Sequence, residues 1–313
     1  MHWLFGARHL KRLGILGMNR RNAACILDHN PRDRYPIVDD KLRMRDLCQR
    51  IGVPTPAVFA AVSAHHELRR LPALLAPLRD FVIKPNRGSA GRGVLVVIDR
   101  QGEAFVRHNG ERLPLDQIRQ HLSDLLSGMY SLGGRPDQAI VQQRVLLHPD
   151  FEPVAFKGIP DVRVVLYRNE PAMAMLRLPT RESGGRANLH QGGIGVGVDL
   201  DSGRTNHAVQ RNHFIAHHPD TGQSLVGRIV PHWDKVLDMS RCVAEAVGLG
   251  YVGVDVIIDA REGPMLLEAN ARPGLAIQIA NARGLTPRLE AIDRQAAQPR
   301  PSIPPAPVLR KSA

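Results

Sequence analysis

Three oxygen-donating side chains have types and spacing suited to binding a hard cation. Asp255 lies in Gly253-Val-Asp-Val-Ile-Ile258, and Glu268 and Asn270 lie in Leu266-Leu-Glu-Ala-Asn270, with the turn Asp259-Ala-Arg-Glu-Gly263 between them. Both runs read as apolar strands, so the segment is a hairpin. Residues two apart on a strand face the same side, and a carboxylate on one strand can lie across from one on its neighbour. All three donors can therefore converge. Two carboxylates and an amide oxygen suit Mg²⁺, which keeps waters and shares phosphate oxygens with a substrate. The chemistry they suggest is that of a magnesium nucleotide.

A second group is Lys84 with the loop Pro85-Asn86-Arg87-Gly88-Ser89-Ala90-Gly91-Arg92-Gly93. Glycines allow close backbone approach, so their amides can cap phosphate oxygens while a lysine supplies the cation. The loop joins the strand Phe81 to Lys84 to a second strand from Val94 to Ile98. Walker and Rossmann loops instead run from a strand into a helix, so neither motif is present. A third group comprises Asp161-Val-Arg163, Arg177 and Arg186-Ala-Asn-Leu-His190, followed by Gln191 to Gly193. Opposite charges 4 Å apart attract by roughly 4 kcal/mol at an effective dielectric near 20, so several fixed cations suit a triphosphate and a transferring phosphoryl group. The doublets His65-His66 and His217-His218 are expected to be solvated, because adjacent side chains diverge and no third ligand follows.

These groups must be held by a chain of 313 residues, enough for one large or two smaller units. Apolar residues make up 43% and charged residues 23%, which excludes disordered and fibrous classes. Lysine and arginine number 42 against 30 acids, a net charge of +12 that favours polyanionic partners. The three cysteines form no CxxC pair, and no apolar run approaches a bilayer span, so a cytoplasmic protein with reduced thiols is expected. Leu42, Leu47 and Ile51 recur at helical spacing from Lys41, and Gly52 with Pro54 ends that helix. Further helices are expected over 115–126 and 235–247. Strands are expected over 139–143, 161–167, 172–177, 252–258 and 265–269. Prolines 299, 301, 304, 305 and 307 suggest a mobile or polyproline-like tail.

Taken together, Val82-Ile-Lys-Pro-Asn86 with its glycine loop, Val141-Gln-Gln143, Asp161-Val-Arg163, Arg186-Ala-Asn-Leu-His190, Gly253-Val-Asp255 and Leu267-Glu-Ala-Asn-Ala-Arg-Pro-Gly274 resemble the ATP-grasp superfamily, in order as well as type. Within it, Gly158-Ile-Pro-Asp-Val-Arg163 and Ala187-Asn-Leu-His-Gln-Gly192 are most similar to the ribosomal-protein glutamate ligases and their alpha-L-glutamate ligase-like relatives. The resemblance spans roughly Asp39 to Gly284.

It implies an α+β fold of two lobes with antiparallel sheets gripping ATP: an N-terminal arm over 1–40, a small lobe over 41–140, a large lobe over 141–294 and a tail over 295–313. Lys41 and Lys84 would lie near the α- and β-phosphates, with Gly88, Ser89, Gly91 and Gly93 as the phosphate lid. Gln143, Arg144 and Val145 would line the adenine hinge, with Asp161 also at the nucleotide. Asp255, Glu268 and Asn270 would hold two Mg²⁺ ions, with Mn²⁺ as an alternative. Arg163, Arg177 and Asn188 would stabilise phosphate and acyl phosphate, and Arg186, His190 and Arg272 would contact substrate. The implied activity is ATP-dependent carboxylate–amine ligation through an acyl phosphate, joining glutamate or another amino acid to a carboxylate-bearing peptide or protein. Only 40 residues precede Lys41, where the glutamate ligases carry a longer N-terminal domain.

Three other readings are weighed: an ATP-binding regulator without turnover, a basic nucleic-acid-binding protein, and membrane contact through Trp3, Leu4, Phe5, Leu10 and Leu13 beside Arg8, Lys11 and Arg12. A homo-oligomer is compatible with the sequence.

Overall fold

Aliphatic runs alternating with turn formers settle into two antiparallel sheets. The structure is a computed structural model and describes residues 9–88 and 91–298. The first sheet contains β1 (Val58–Val62), β2 (Phe81–Pro85), β3 (Leu95–Gln101), β4 (Ala104–Arg107), β5 (Arg112–Leu113) and β6 (Ala139–Gln142), in the order β1-β6-β2-β3-β4-β5. The second contains β7 (Asp161–Tyr167), β8 (Glu170–Leu178), β9 (Ile194–Val198), β10 (Thr205–Gln210), β11 (His213–Phe214), β12 (Tyr251–Asp259) and β13 (Gly263–Asn270), in the order β11-β10-β9-β8-β7-β12-β13. Helices α1 (Lys41–Ile51), α2 (Leu115–Leu126), α3 (Trp233–Val247), α4 (Ile277–Ala280) and α5 (Thr286–Ala297) cover them. The architecture is α+β, with the change of sheet falling after Gln142.

Burial follows the strand period. In the small sheet Phe81, Ile83 and Val97 pack with Ile118, Leu122 and Leu125 of α2. In the large sheet Val162, Val164, Val254 and Val256 face Val236, Val243 and Val247 of α3, and Met44 and Cys48 of α1 join the same core. Helix α1 therefore stands on the large lobe while its first residue reaches the small one. The opposite face of the large sheet carries Asp161, Arg163, Arg177 and Asp255 at one end and apolar Val165, Tyr167, Met173 and Met175 at the other. The first group is where the chemistry must lie.

The N-terminal segment packs against that face. Leu16 is buried, and its backbone N–H and carbonyl pair with the Gln278 amide at 2.8 and 3.1 Å. Asn30 donates to the carbonyls of Tyr251 and Ala271 at 2.8 and 3.0 Å and accepts from the Tyr251 N–H at 2.8 Å. It thus pins the start of β12 to the chain just beyond β13. Leu10 and Leu13 are exposed. Trp3, Leu4 and Phe5, and the tail from residue 299, lie outside the described residues. Among the described residues no helix is long and apolar enough to cross a membrane.

Candidate active site

Register brings the charged residues together. On antiparallel strands Asp255 stands opposite Arg163, Asp161 opposite Arg177 and Asp255 opposite Glu268. Arg163 donates to both Asp255 oxygens, Nε to Oδ1 at 2.7 Å and a terminal nitrogen to Oδ2 at 2.5 Å. Arg177 donates Nε to Asp161 Oδ1 at 2.5 Å and a terminal nitrogen to Asp255 Oδ2 at 2.7 Å. The Asn270 amide donates to Asp255 Oδ2 at 3.4 Å and to Glu268 Oε1 at 3.3 Å. Burial alone would raise the Asp255 carboxyl, but the guanidiniums of Arg163 and Arg177 outweigh it and hold it at about 2. Burial pushes Asp161 upward against the opposing charge of Arg177, with the negative charge of Asp255 adding to the rise.

Lys41 and Lys84 approach from the other side. A cleft between the sheets is lined by Lys41 and Met44 of α1, Lys84 of β2, Gln142 of β6 and Leu267 and Glu268 of β13. Lys41 Nζ donates to the carbonyls of Asn86 and Gly88 at 3.2 and 2.8 Å, which ties it to the glycine loop. Burial pushes Lys84 down to about 7; the charge of Lys41 adds to this and that of Glu268 opposes it. Burial also lowers Lys41 against the pull of Glu268. Two cations with depressed pKa values facing a carboxylate across a cleft form a setting poised to receive further negative charge.

Several residues that sequence reasoning passed over hold this arrangement. Asn86 is fully buried; its Oδ1 accepts from the Leu42 N–H at 3.0 Å, and its own N–H donates to the Gln138 carbonyl at 2.9 Å. Asp40 caps α1 through the Arg43 N–H at 3.1 Å and accepts from Arg87 at 3.2 Å. Asp137 accepts from the Arg87 N–H and the Ser131 hydroxyl, both at 2.9 Å. Asp40 directly before a helical run was a readable capping signal. Asn86 closes the Val82-to-Asn86 motif already noted in the sequence, but its bonding partners, like those of Asp137, are distant along the chain and left no local pattern.

The remaining expected residues are more dispersed. Gln143 exchanges hydrogen bonds with the Ala57 backbone, its side chain accepting at 3.1 Å and its N–H donating at 2.8 Å. Arg144 pairs with Asp80 at 2.8 Å, and Val145 packs with Ile257 and Met265. None of the three lines the cleft. Gly91 and Arg186 meet, since a Cβ built on Gly91 would lie 3.4 Å from Arg186 Cδ. Gly88 pairs with Ser131. Gly93 O lies 3.0 Å from His121 Nε2, and Ser89 lies outside the described residues. Asn188 Oδ1 caps the turn Leu189–Gln191 through the His190 N–H at 3.0 Å. Arg272 stacks on Tyr35, 5.2 Å from its ring centre, and His190 lines a separate cavity. The expectation of a solvated His218 is corrected: it is buried, its Nε2 is 3.1 Å from the Pro179 carbonyl, and its Nδ1 accepts from the Asp220 N–H.

Two antiparallel sheets closing on a cationic cleft beside a carboxylate–amide hairpin define an ATP-grasp protein. The chain belongs to the sugar-transfer associated ATP-grasp family, whose profile matches residues 20–294. Comparison with proteins of curated function finds no match. Among solved structures, the ATP-grasp ligase PsnB complexed with minimal precursor is 18% identical, with 85% of this chain and 64% of that one covered and a TM-score of 0.46. This chain thus spans less than two thirds of the length of PsnB. D-cycloserine synthetase DcsG is 18% identical over 83% and 73% of the two chains at a TM-score of 0.43. A RimK domain ATP-grasp protein from Sphaerobacter thermophilus DSM 20745 is 13% identical over 84% and 70% at 0.46.

Proposed function

We propose that the chain is an ATP- and Mg²⁺-dependent carboxylate–amine ligase, working in the cytoplasm where ATP is supplied, and that it joins an amino acid, glutamate first among candidates, to a carboxylate-bearing peptide or protein. The observation that carries this reading is the placement of Lys41 and Lys84 opposite Glu268 in one cleft, with the buried Arg163–Asp255–Arg177 network on the same hairpin sheet.

A carboxylate oxygen of the substrate would attack the γ-phosphorus of ATP, breaking its bond to the β–γ bridging oxygen and giving an acyl phosphate and ADP. An amine would then attack the acyl carbon, lose a proton and expel phosphate, leaving an amide. No protein nucleophile is needed, because the work is positioning and charge neutralisation. Lys41 and Lys84 would hold phosphate oxygens. Arg163 and Arg177 are pre-oriented by Asp255 and Asp161 to meet charge that develops on the transferring group. The approach of Gly91 to Arg186 supports a lid role for the glycine loop, which would keep water from a hydrolysable intermediate.

The donor set fits Mg²⁺ in kind. The proposed third donor is the Asn270 amide oxygen, since among the described residues no three His, Cys, Asp or Glu side chains are grouped as a metal site. Glu268, with its side chain 34% exposed, opens towards the cleft, while Asp255 has none of its side chain exposed and both oxygens taken by guanidiniums. Glu268 and Asn270 would hold the ion, and Asp255 would join them only by giving up a guanidinium contact. When bound, Mg²⁺ would neutralise phosphate charge and orient the triphosphate.

The test is mass spectrometry of products after incubation with ATP, Mg²⁺ and a panel of amino acids, peptides and, given the family's link to sugar transfer, amino sugars. The expected result is an adduct heavier than its acceptor by one donor minus water, formed with one ADP. ATP consumption without an amide from any panel member would refute the reading. Glu268→Gln with unchanged turnover would also count against it.

A further inference from the structure

A second cavity, open to solvent, lies on the large lobe. It is lined by Leu189, His190, Val209, Arg211, Asn212 and Ile279. Its position follows from register. Arg177 on β8 stands opposite Gly195 on β9, and Gly195 stands opposite Val209 on β10. Directly opposed residues share a face, so the cavity lies on the same side of the sheet as Arg163, Arg177 and Asp255. Strands are about 4.8 Å apart, which places Val209 roughly 10 Å sideways from Arg177. The wall formed by Leu189 and His190 directly follows Asn188.

The lining has a definite chemistry. Arg211 and Asn212 form the β10–β11 turn with φ of 51° and 65°, which presents two polar side chains side by side. Arg211, exposed at the surface, is paired with Glu182, Nε to Oε1 at 2.6 Å, and among the described residues one terminal guanidinium nitrogen has no protein partner. Among the described residues neither the His190 ring nor the Asn212 amide makes a hydrogen bond within the chain. Val209, Leu189 and the 40%-exposed Ile279 supply an apolar floor. Hydrogen-bond donors above aliphatic surface match a carboxylate carried on a methylene stem.

We infer that this cavity is the acceptor subsite, binding the distal carboxylate-bearing part of an elongated acidic substrate whose reacting end lies at the Arg163–Arg177 cluster. The inference rests on the ligase reading above and names the substrate class. An incoming carboxylate would share or take over the Arg211 guanidinium from Glu182.

Tetraglutamate is titrated calorimetrically into the full chain saturated with Mg²⁺ and a non-hydrolysable ATP analogue. The wild type should bind it. Arg211→Gln should weaken binding on the order of tenfold, Ile279→Trp should block the cavity, and Glu182→Gln, which releases the guanidinium, should tighten binding. Affinity for the ATP analogue should be unchanged in all three. If Arg211 only holds the segment around Glu182, Glu182→Gln would weaken binding alongside Arg211→Gln, and the inference fails. It also fails if wild type does not bind tetraglutamate, or if Arg211→Gln and Ile279→Trp bind it as wild type does. Ile279 is a surface position, so its variant answers the question if Arg211→Gln does not fold. Amide formation by wild type from other panel substrates would leave the ligase reading standing in each of those cases, whereas no amide from the whole panel refutes that reading itself.

Discussion

Asp255 is the residue on which the site's charges depend. Its carboxylate is wholly buried and answers two guanidiniums at once. Asp255→Asn keeps the shape but leaves Arg163 and Arg177 undercompensated in the interior; removing one partner of such a network costs about 3–5 kcal/mol. Urea denaturation should show that loss as a lower midpoint, and an unchanged midpoint would mean that the network does not support the fold. Lys84 makes a separate prediction. With its pKa lowered to about 7 it is mostly neutral at pH 8, and bound polyphosphate favours its charged form, so ATP binding at pH 8 should take up protons. The sign follows: affinity is fullest below pH 7 and declines as pH rises through that value. Calorimetry in buffers of different ionisation heat measures the uptake, which should shrink in Lys84→Met. The sequence identified both residues by type, but not that Asp255 is engaged by arginines, because that pairing exists only through the register of β12 on β7.

At the level of elements, legibility tracked the strength of the apolar period. Helices α1 and α2 and strand β7 have the bounds that spacing predicts, and β8, β12, β13 and α3 extend one or two residues further. Strands β1, β4, β5 and β9 to β11 were not foreseen. β4 and β5 are short strands at one end of their sheet, and β9 is the glycine-alternating run Ile194-Gly-Val-Gly-Val198, which has low strand propensity. Gly195 and Gly197 have a physical reason. A Cβ at Gly197 would lie 2.6 Å from the Ala280 carbonyl and 2.8 Å from Asn281 Cα, so only a bare backbone lets α4 settle on the functional face. Gly197→Ala should therefore cost about 1–3 kcal/mol from overpacking. A melting temperature equal to that of wild type would show that α4 can move aside freely.

For the whole molecule, the net charge of +12 gains a partial explanation. Lys41 and Lys84 line the cleft with Glu268, Arg163 lies 4.0 Å from that carboxylate and Arg177 pairs with Asp255 beside it, Arg186 reaches the glycine loop, and Arg211 lines a second cavity on the same face as Arg163 and Arg177. The N-terminal segment braces the large lobe through Leu16 and Asn30. The two-lobed plan was legible because the motifs occur in a fixed order along the chain. The cavity proposed for the acceptor was less so, because it is assembled from a turn, a short helix and a loop whose proximity no local pattern announces. The central claim is that a substrate carboxylate is activated by phosphorylation. Its most direct test uses the carboxylate substrate found in the product panel, labelled with ¹⁸O in the reacting carboxyl group, followed by mass analysis of the phosphate released. One ¹⁸O atom should appear in each phosphate, carried across when the acyl phosphate breaks; amide formation with unlabelled phosphate would contradict the account.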